Sequence, residues 1–192
     1  MAMTISRQKI AALVTDGFEQ IELTGPMEAL KAAGATVVIV SPKEDQIQGM
    51  NHDEKGDVFR PDRPLSAASP EEFDALLLPG GVANPDYLRV NPKAVAFVRH
   101  FVTAKKPIAA ICHGPWTLIE ADGVRGRKMT SWPSLKTDLA NAGAIWVDQT
   151  VVQDGPLITS RKPDDIPAFS KAFIGMLEDG SQPSPAHTRL AS

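Results

Sequence analysis

The sequence predicts one α/β domain built on a doubly wound, mostly parallel sheet flanked by helices on both faces, in the manner of a flavodoxin-like sandwich. Three observations predict it. Short β-type runs alternate with stretches of helical periodicity along the chain. The runs are continuously apolar, as strands covered on both faces must be. The main runs stop at turn signals: Thr15-Asp16-Gly17, Ser41-Pro42, Pro79-Gly80-Gly81 and Cys112-His113-Gly114-Pro115.

The elements follow in order. Lys9 to Val14 reads as a buried first strand. From Glu19 to Ala33, Ile21, Leu23, Met27 and Leu30 recur at helical spacing, with Pro26 near the helix start and Gly34 as its cap. Thr36 to Val40 is a β-branched second strand. The polar, proline-containing segment 43–70 holds a small expected hairpin, Ile47 to Met50 with Asp57 to Arg60, at the sheet's edge. Strand character returns at Ala75 to Leu78. Asn91-Pro92 opens a helix carrying Val95, Phe97, Val98 and Phe101. Ile108 to Ile111 is another buried strand and runs through Cys112 into a further helix. A helix at Ser134 to Ala142, strands near Ile145 and Val151, a strand at Leu157 to Ser160 and a last helix from Pro163 to about Glu178 complete the pattern. The domain is expected to span 1–178, with 179–192, rich in Ser and Pro, as a disordered tail.

Composition narrows the function classes. With 192 residues, 43% hydrophobic, the chain can bury one substantial core. A net charge of −3 gives no reason to expect nucleic acid or an anionic membrane as partner. A lone cysteine excludes an internal disulfide and a multi-cysteine metal centre, and it suits a reducing compartment. No apolar run reaches bilayer length, and the first residues lack the apolar core of a secretion signal, so a cytoplasmic location is expected. Neither metal nor cofactor is expected, since no Gly-x-Gly-x-x-Gly and no phosphate loop occurs.

The candidate chemistry gathers where loops leave the carboxyl ends of the strands: 16–19, 80–86 and 112–114. Ile-Cys-His-Gly-Pro sets Cys112 after a buried strand and before a helix, the layout of a nucleophile elbow. A nearby helix N-terminus favours thiolate over thiol. His113 is placed to act as base or as a thiolate-stabilising imidazolium. Asp86 is a candidate for orienting it. Glu19, one short loop beyond the first strand, is the candidate carboxyl that would share a proton with Cys112. Glu22 and Glu28 fit a solvated helix face, and His52, His100 and His187 read as solvated. The double glycine, with the His113 amide, suggests an oxyanion hole drawing on Gly80, Gly81, His113 and Gly114. Arg125-Gly126-Arg127-Lys128 reads as a solvated turn.

Four segments also carry a resemblance: Asp-Gly-Phe-Glu at 16–19, Leu-Leu-Leu-Pro-Gly-Gly at 76–81, Ala-Ile-Cys-His-Gly-Pro at 110–115 and Gly-Arg-Lys-x-Thr-Ser-x-Pro at 126–133. From Lys9 to about Glu178 the chain resembles the PfpI-type intracellular proteases and general stress proteins of the DJ-1/PfpI superfamily, which share the class I glutamine amidotransferase-like fold. The resemblance implies Cys112 as nucleophile, His113 as catalytic histidine, Glu19 as the acid bonded to the thiol, and Gly81 with the His113 amide as oxyanion donors. It implies a triad acid from a neighbouring subunit, near Asp86, and a homodimer or dimer-based hexamer. The expected function is a cysteine-dependent stress-response enzyme acting on reactive aldehydes or glycation adducts through a Cys112 hemithioacetal. An intracellular cysteine peptidase, and an oxidative-stress sensor or chaperone using Cys112 oxidation, are the alternatives.

Overall fold

The computed structural model describes residues 5–180. In chain order its elements are β1 (Lys9–Leu13), β2 (Phe18–Glu19), α1 (Gln20–Ala32), β3 (Thr36–Ser41), β4 (Ile47–Asn51), β5 (Glu54–Phe59), β6 (Arg63–Pro64), β7 (Ala75–Leu78), α2 (Ala83–Arg89), α3 (Pro92–Thr103), β8 (Ile108–Ile111), α4 (Pro115–Glu120), β9 (Lys128–Met129), α5 (Lys136–Asn141), β10 (Ile145–Trp146), β11 (Val151–Asp154), β12 (Leu157–Ser160) and α6 (Ile166–Gly180). The main sheet has seven strands in the order β11-β12-β8-β7-β1-β3-β6. Its pairs are parallel except for β11 against β12 at one edge. The fold class expected from the apolar runs is the one observed.

Side-chain alternation divides the core into two layers. Ile10, Ala12, Ala75, Leu77, Ala109 and Ile111 point to one face, where Leu23 and Leu30 of α1 and Phe169, Phe173 and Leu177 of α6 cover them. Ala11, Leu13, Leu76, Leu78, Ile108 and Ala110 point to the other, against Phe97, Val98 and Phe101 of α3, Leu118 of α4 and Leu139 of α5. A strand buried on both faces has no polar side to alternate with, which is why these runs read as unbroken apolar stretches.

Caps work as read at two ends. Asn91 accepts from the amides of Lys93 and Ala94 at the start of α3. Gly34, at φ +98°, follows α1, and its amide bonds Lys31 O while Ala35 N bonds Leu30 O.

Four expectations are corrected. The β4–β5 hairpin does not sit at the edge of the main sheet; it pairs through β4 with β2 in a separate three-stranded sheet. Pro26 lies inside α1, because the helix already starts at Gln20. Residues 83–89 form α2 rather than a loop, and Pro85 is tolerated in its first turn, where an amide has no intrahelical partner. The helix expected at 134–142 is a 3₁₀ turn, Pro133–Leu135, leading into α5. At the C-terminus α6 continues through 179–180, and 181–192, the rest of the expected tail, lie outside the described residues. No helix among the described residues is long and apolar enough to cross a membrane.

The chain winds from β1 to β3 on one side and from β7 to β8 on the other. The crevice beyond β1 and β7 is therefore the switch point of the sheet, where ligands collect in such folds.

Candidate active site

Cys112 stands one residue beyond β8, at φ +61°. A side-chain-bearing residue avoids that region unless its surroundings hold it there. Here both backbone groups are held: Cys112 N donates to Ser160 O at 3.1 Å, and Cys112 O accepts from Trp132 N at 3.0 Å. Gly114 N closes the turn on Ile111 O at 2.9 Å. The predicted elbow is present, and it raises the side chain into a cavity while leaving it 7% exposed.

The carboxyl beside the thiol is Glu22, not Glu19. Glu22 lies in the buried stripe of α1 with Leu23, Pro26 and Leu30, and it is fully buried. Its Oε2 accepts from Gly80 N at 2.8 Å. Its Oε1 has no nitrogen or oxygen partner among the described residues, and the carboxyl interacts with the Cys112 thiol. Burial pushes the Glu22 pKa up to about 8, so the group is protonated at neutral pH. Glu19, by contrast, ends β2 and turns to the hairpin, where its Oε2 accepts from His52 N at 3.0 Å. The signal for Glu22 was its spacing: 22, 26 and 30 fall on one helical stripe facing the core, whereas Ile21 is half exposed.

Burial also pushes the Cys112 thiol up, and an ionised Glu22 would push it further. The amides of His113 and Gly81 bear on the sulfur in the opposite sense, favouring the thiolate. Two acidic groups this close hold their protons jointly. With the proton on Glu22, the carboxyl is a donor toward sulfur instead of a repelling charge. Helix α4 is only six residues long, so the donors that matter are these two amides.

Of the four expected oxyanion donors, two remain. Gly80 N is taken by Glu22 and Gly114 N by Ile111 O. Both glycines are required for space: a Cβ on Gly80 would lie 2.6 Å from Cys112 Cβ and 2.6 Å from Glu22 Oε2, and one on Gly114 would lie 2.5 Å from Leu78 O. Asn84 fixes this loop from below, a role sequence reasoning missed. Its side chain accepts from Thr15 N at 2.8 Å and donates to Pro79 O and Gly80 O, tying the β1 and β7 loops together.

His113 reaches the same side as Cys112, with Nδ1 3.1 Å from Sγ. Its Nε2 lies 3.4 Å from Ser134 Oγ, and its ring meets Trp116 edge-on and stacks on Trp132. Burial lowers its pKa to about 4. The imidazole is therefore neutral at neutral pH, and the imidazolium role does not hold in the resting site. Asp86 is exposed on the first turn of α2 and makes no hydrogen bond with His113 in this chain.

The cavity above the thiol measures about 680 Å³ and is lined by residues of the three predicted loops, together with Glu22, Trp132, Pro163 and the hairpin residues Met50, His52 and Asp53. His52 is thus a rim residue, held at φ +56° by the turn of the hairpin.

The chain is similar to a protein/nucleic acid deglycase 2 of Escherichia coli (strain K12), 45% identical over 172 residues, covering 88% of this chain and 98% of that protein. It is 41% identical over 170 residues to the deglycase PfpI of Pyrococcus furiosus, covering 88% of this chain and 99% of that one. Among solved structures, a two-domain protein of Anabaena variabilis with DJ-1/ThiJ/PfpI-like and ferritin-like domains superposes with a TM-score of 0.83 at 36% identity, over 96% of this chain and 52% of its own. The model of the DJ-1/PfpI family matches residues 8–176, the stretch that holds the elbow, the buried carboxyl and both glycine turns, and this chain belongs to that family.

Proposed function

We propose that this chain is a cytoplasmic thiol enzyme that converts 2-oxoaldehydes, free or added to amines and thiols, into hydroxy acids. One observation carries the reading: a protonated carboxyl, Glu22, sits against the Cys112 sulfur at the bottom of a small cavity, with a neutral imidazole on the other side. The relatives named deglycases support the same chemistry.

The steps balance without a cofactor. Cys112 sulfur attacks the aldehyde-level carbon as the thiol proton passes to His113 Nδ1. For an amine adduct the C–N bond breaks and the amine leaves with a proton; for the free aldehyde, the new oxyanion is protonated. Either way a hemithioacetal forms. Transfer of its C–H proton to the neighbouring carbon, through an enediol, gives the isomeric 2-hydroxyacyl thioester. Water then cleaves the thioester to a hydroxy acid and the free thiol. The amides of Gly81 and His113 face the developing oxyanion, and the Glu22 hydroxyl supplies and recovers a proton at each oxygen. Lactate release from methylglyoxal by wild type and Cys112→Ala tests this, and equal rates would overturn it.

The triad version requires Asp86 from another subunit. We infer a homo-oligomer in which α2 is the contact, since Val82, Tyr87 and Val90 expose apolar surface around it. Sedimentation of wild type against Tyr87→Glu tests that assembly; an unchanged mass would count against α2. Selective oxidation of Cys112 as a stress signal is compatible with the same site, with peptide mass spectrometry after mild peroxide as its measurement.

A further inference from the structure

We infer that Trp116 is a positioning residue for the reaction: tied down by Asp138 and Arg89, its indole holds the His113 imidazole with Nδ1 toward the Cys112 sulfur. The inference deepens the reading above and rests on it for the proton that His113 takes.

A neutral imidazole has a single acceptor nitrogen, so its orientation decides whether it can act as a base. Burial keeps His113 neutral. To receive the thiol proton on Nδ1, 3.1 Å from Sγ, the ring must carry its own proton on Nε2, which lies 3.4 Å from Ser134 Oγ. A half-turn about the Cβ–Cγ bond would put Cδ2 where Nδ1 stands and leave the sulfur facing a carbon. That torsion is broad and nearly two-fold, so the bond itself barely resists the turn. Ser134 alone, at that distance, restrains it weakly.

The neighbouring indoles supply the resistance. Trp116 meets the imidazole edge-on, with centroids 5.2 Å apart and planes inclined at 61°. Trp132 stacks on it at 6.1 Å and 23°. Two walls at different inclinations stand in the way of a ring sweeping out of its plane. Trp132 is 38% exposed, whereas Trp116 is fixed from several sides. Its amide donates to His113 O at 3.0 Å, and its Nε1 donates to Asp138 Oδ2 at 2.8 Å. The Arg89 guanidinium lies 5.5 Å from its ring centroid and is itself held by Glu120 Oε1 at 2.7 and 3.1 Å. Helices α2, α4 and α5 therefore each bring a group to one indole.

Packing against the core layer of Leu118 and Leu139 would by itself account for an apolar ring at this position. It does not account for a charge-assisted bond from Nε1 to an exposed carboxylate, because water satisfies an indole nitrogen at a surface equally well.

The test separates positioning from packing. Asp138→Ala removes the tie at an exposed site and leaves the indole in place, while Asp138→Asn restores an acceptor oxygen. In lactate release from methylglyoxal, Asp138→Ala should lower kcat roughly 3- to 10-fold with KM within about twofold, and Asp138→Asn should recover it. Trp116→Phe should lose at least as much, and adding Asp138→Ala to it should cost nothing further. The ring itself is read by nitrogen-15 NMR, with the His113 signals assigned by their absence in His113→Asn. Wild type and Asp138→Asn should show the well-separated shifts of one protonated and one bare ring nitrogen. A ring free to turn loses the fixed neighbours that keep its proton on Nε2, so in Asp138→Ala and Trp116→Phe the two shifts should move toward each other. Wild-type shifts in both variants, or a lower Tm with kcat unchanged, overturn the proposal. So does an Asp138→Ala effect that persists undiminished in Trp116→Phe. If wild type releases no lactate while the ring signals respond as expected, the thiol-enzyme reading fails and the positioning of His113 stands.

Discussion

At the bottom of the cavity, Glu22, Gly80 and Cys112 are packed so closely that a single added methyl group has no room. At its mouth, Glu19, His52 and Asp53 are partly or fully exposed, carried by a short β2–β4–β5 sheet that is separate from the main one. Both regions contain carboxyl groups, yet these differ in kind. Burial holds the proton on Glu22, whereas Glu19 and Asp53 meet solvent. On the proposed reading, reactivity is set at the buried floor, where the chain is most constrained. Changes to the floor should alter the rate of every reaction, and changes to the rim only the relative rates.

The largest effect should come from the nucleophile. Cys112→Ala should lower lactate release by on the order of 10³-fold or more, leaving only background. Gly80→Ala comes next. Its Cβ would crowd Cys112 Cβ and Glu22 Oε2, costing about 1–3 kcal/mol in chemical denaturation and most of the activity.

Glu22→Gln keeps the shape but removes the titration. It should slow turnover roughly 10²-fold, the usual scale for losing a proton-transfer group. It also has a stability signature. Unfolded Glu22, with its ordinary value of 4.5, has lost its proton throughout pH 6.5–8, while the folded group keeps it until about 8. The native state binds more protons, so stability falls as pH rises, by about 1.4 kcal/mol per unit at most. His113 is lowered from 6.5 to about 4, so its contribution grows with pH only below 6.5. Cys112 is raised from 9.0, so its effect is confined to higher pH. Urea denaturation between pH 6.5 and 8 should therefore slope in wild type and be nearly flat in Glu22→Gln. Equal slopes would remove the buried proton from the account of the floor.

Ser134→Ala tests the link to the imidazole, since Ser134 Oγ lies 3.4 Å from His113 Nε2. A reduction of roughly 3- to 10-fold in kcat/KM, with recovery in Ser134→Thr, is the expected result. The smallest effect belongs to Asp53→Asn, which should change stability by less than about 0.5 kcal/mol and be visible only as altered substrate preference.

The sheet and the elbow were legible in the sequence for a common reason. A strand covered on both faces must be apolar throughout, and a chain that reverses sharply after it must use Gly and Pro, so β1, β7, β8 and β12 appear almost at their observed limits. The acid partner was misread because two glutamates stand three residues apart and proximity to the strand favoured the wrong one. Helical phase decides between them, and Ile21, an apolar residue facing out, disguises that phase. The rim was harder still. Whether a polar hairpin bends over a cavity depends on its pairing with a two-residue strand, Phe18–Glu19, too short to leave a periodic trace. Asn84 and Ser134 act through single hydrogen bonds between distant segments, which local patterns do not record.

The bond from Cys112 N to Ser160 O gives the nucleophile a place in the β8–β12 ladder, one rung past the end of the strand. Its amide proton is then exchangeable only when the centre of the sheet opens, on the slow timescale of the core and not that of loops. A deuterium-exchange experiment should find the reactive residue among the last amides to exchange, with the rim hairpin among the first. A protein whose reactive atom is anchored in its slowest-exchanging core can have its mouth remodelled through many substitutions before the chemistry itself is lost.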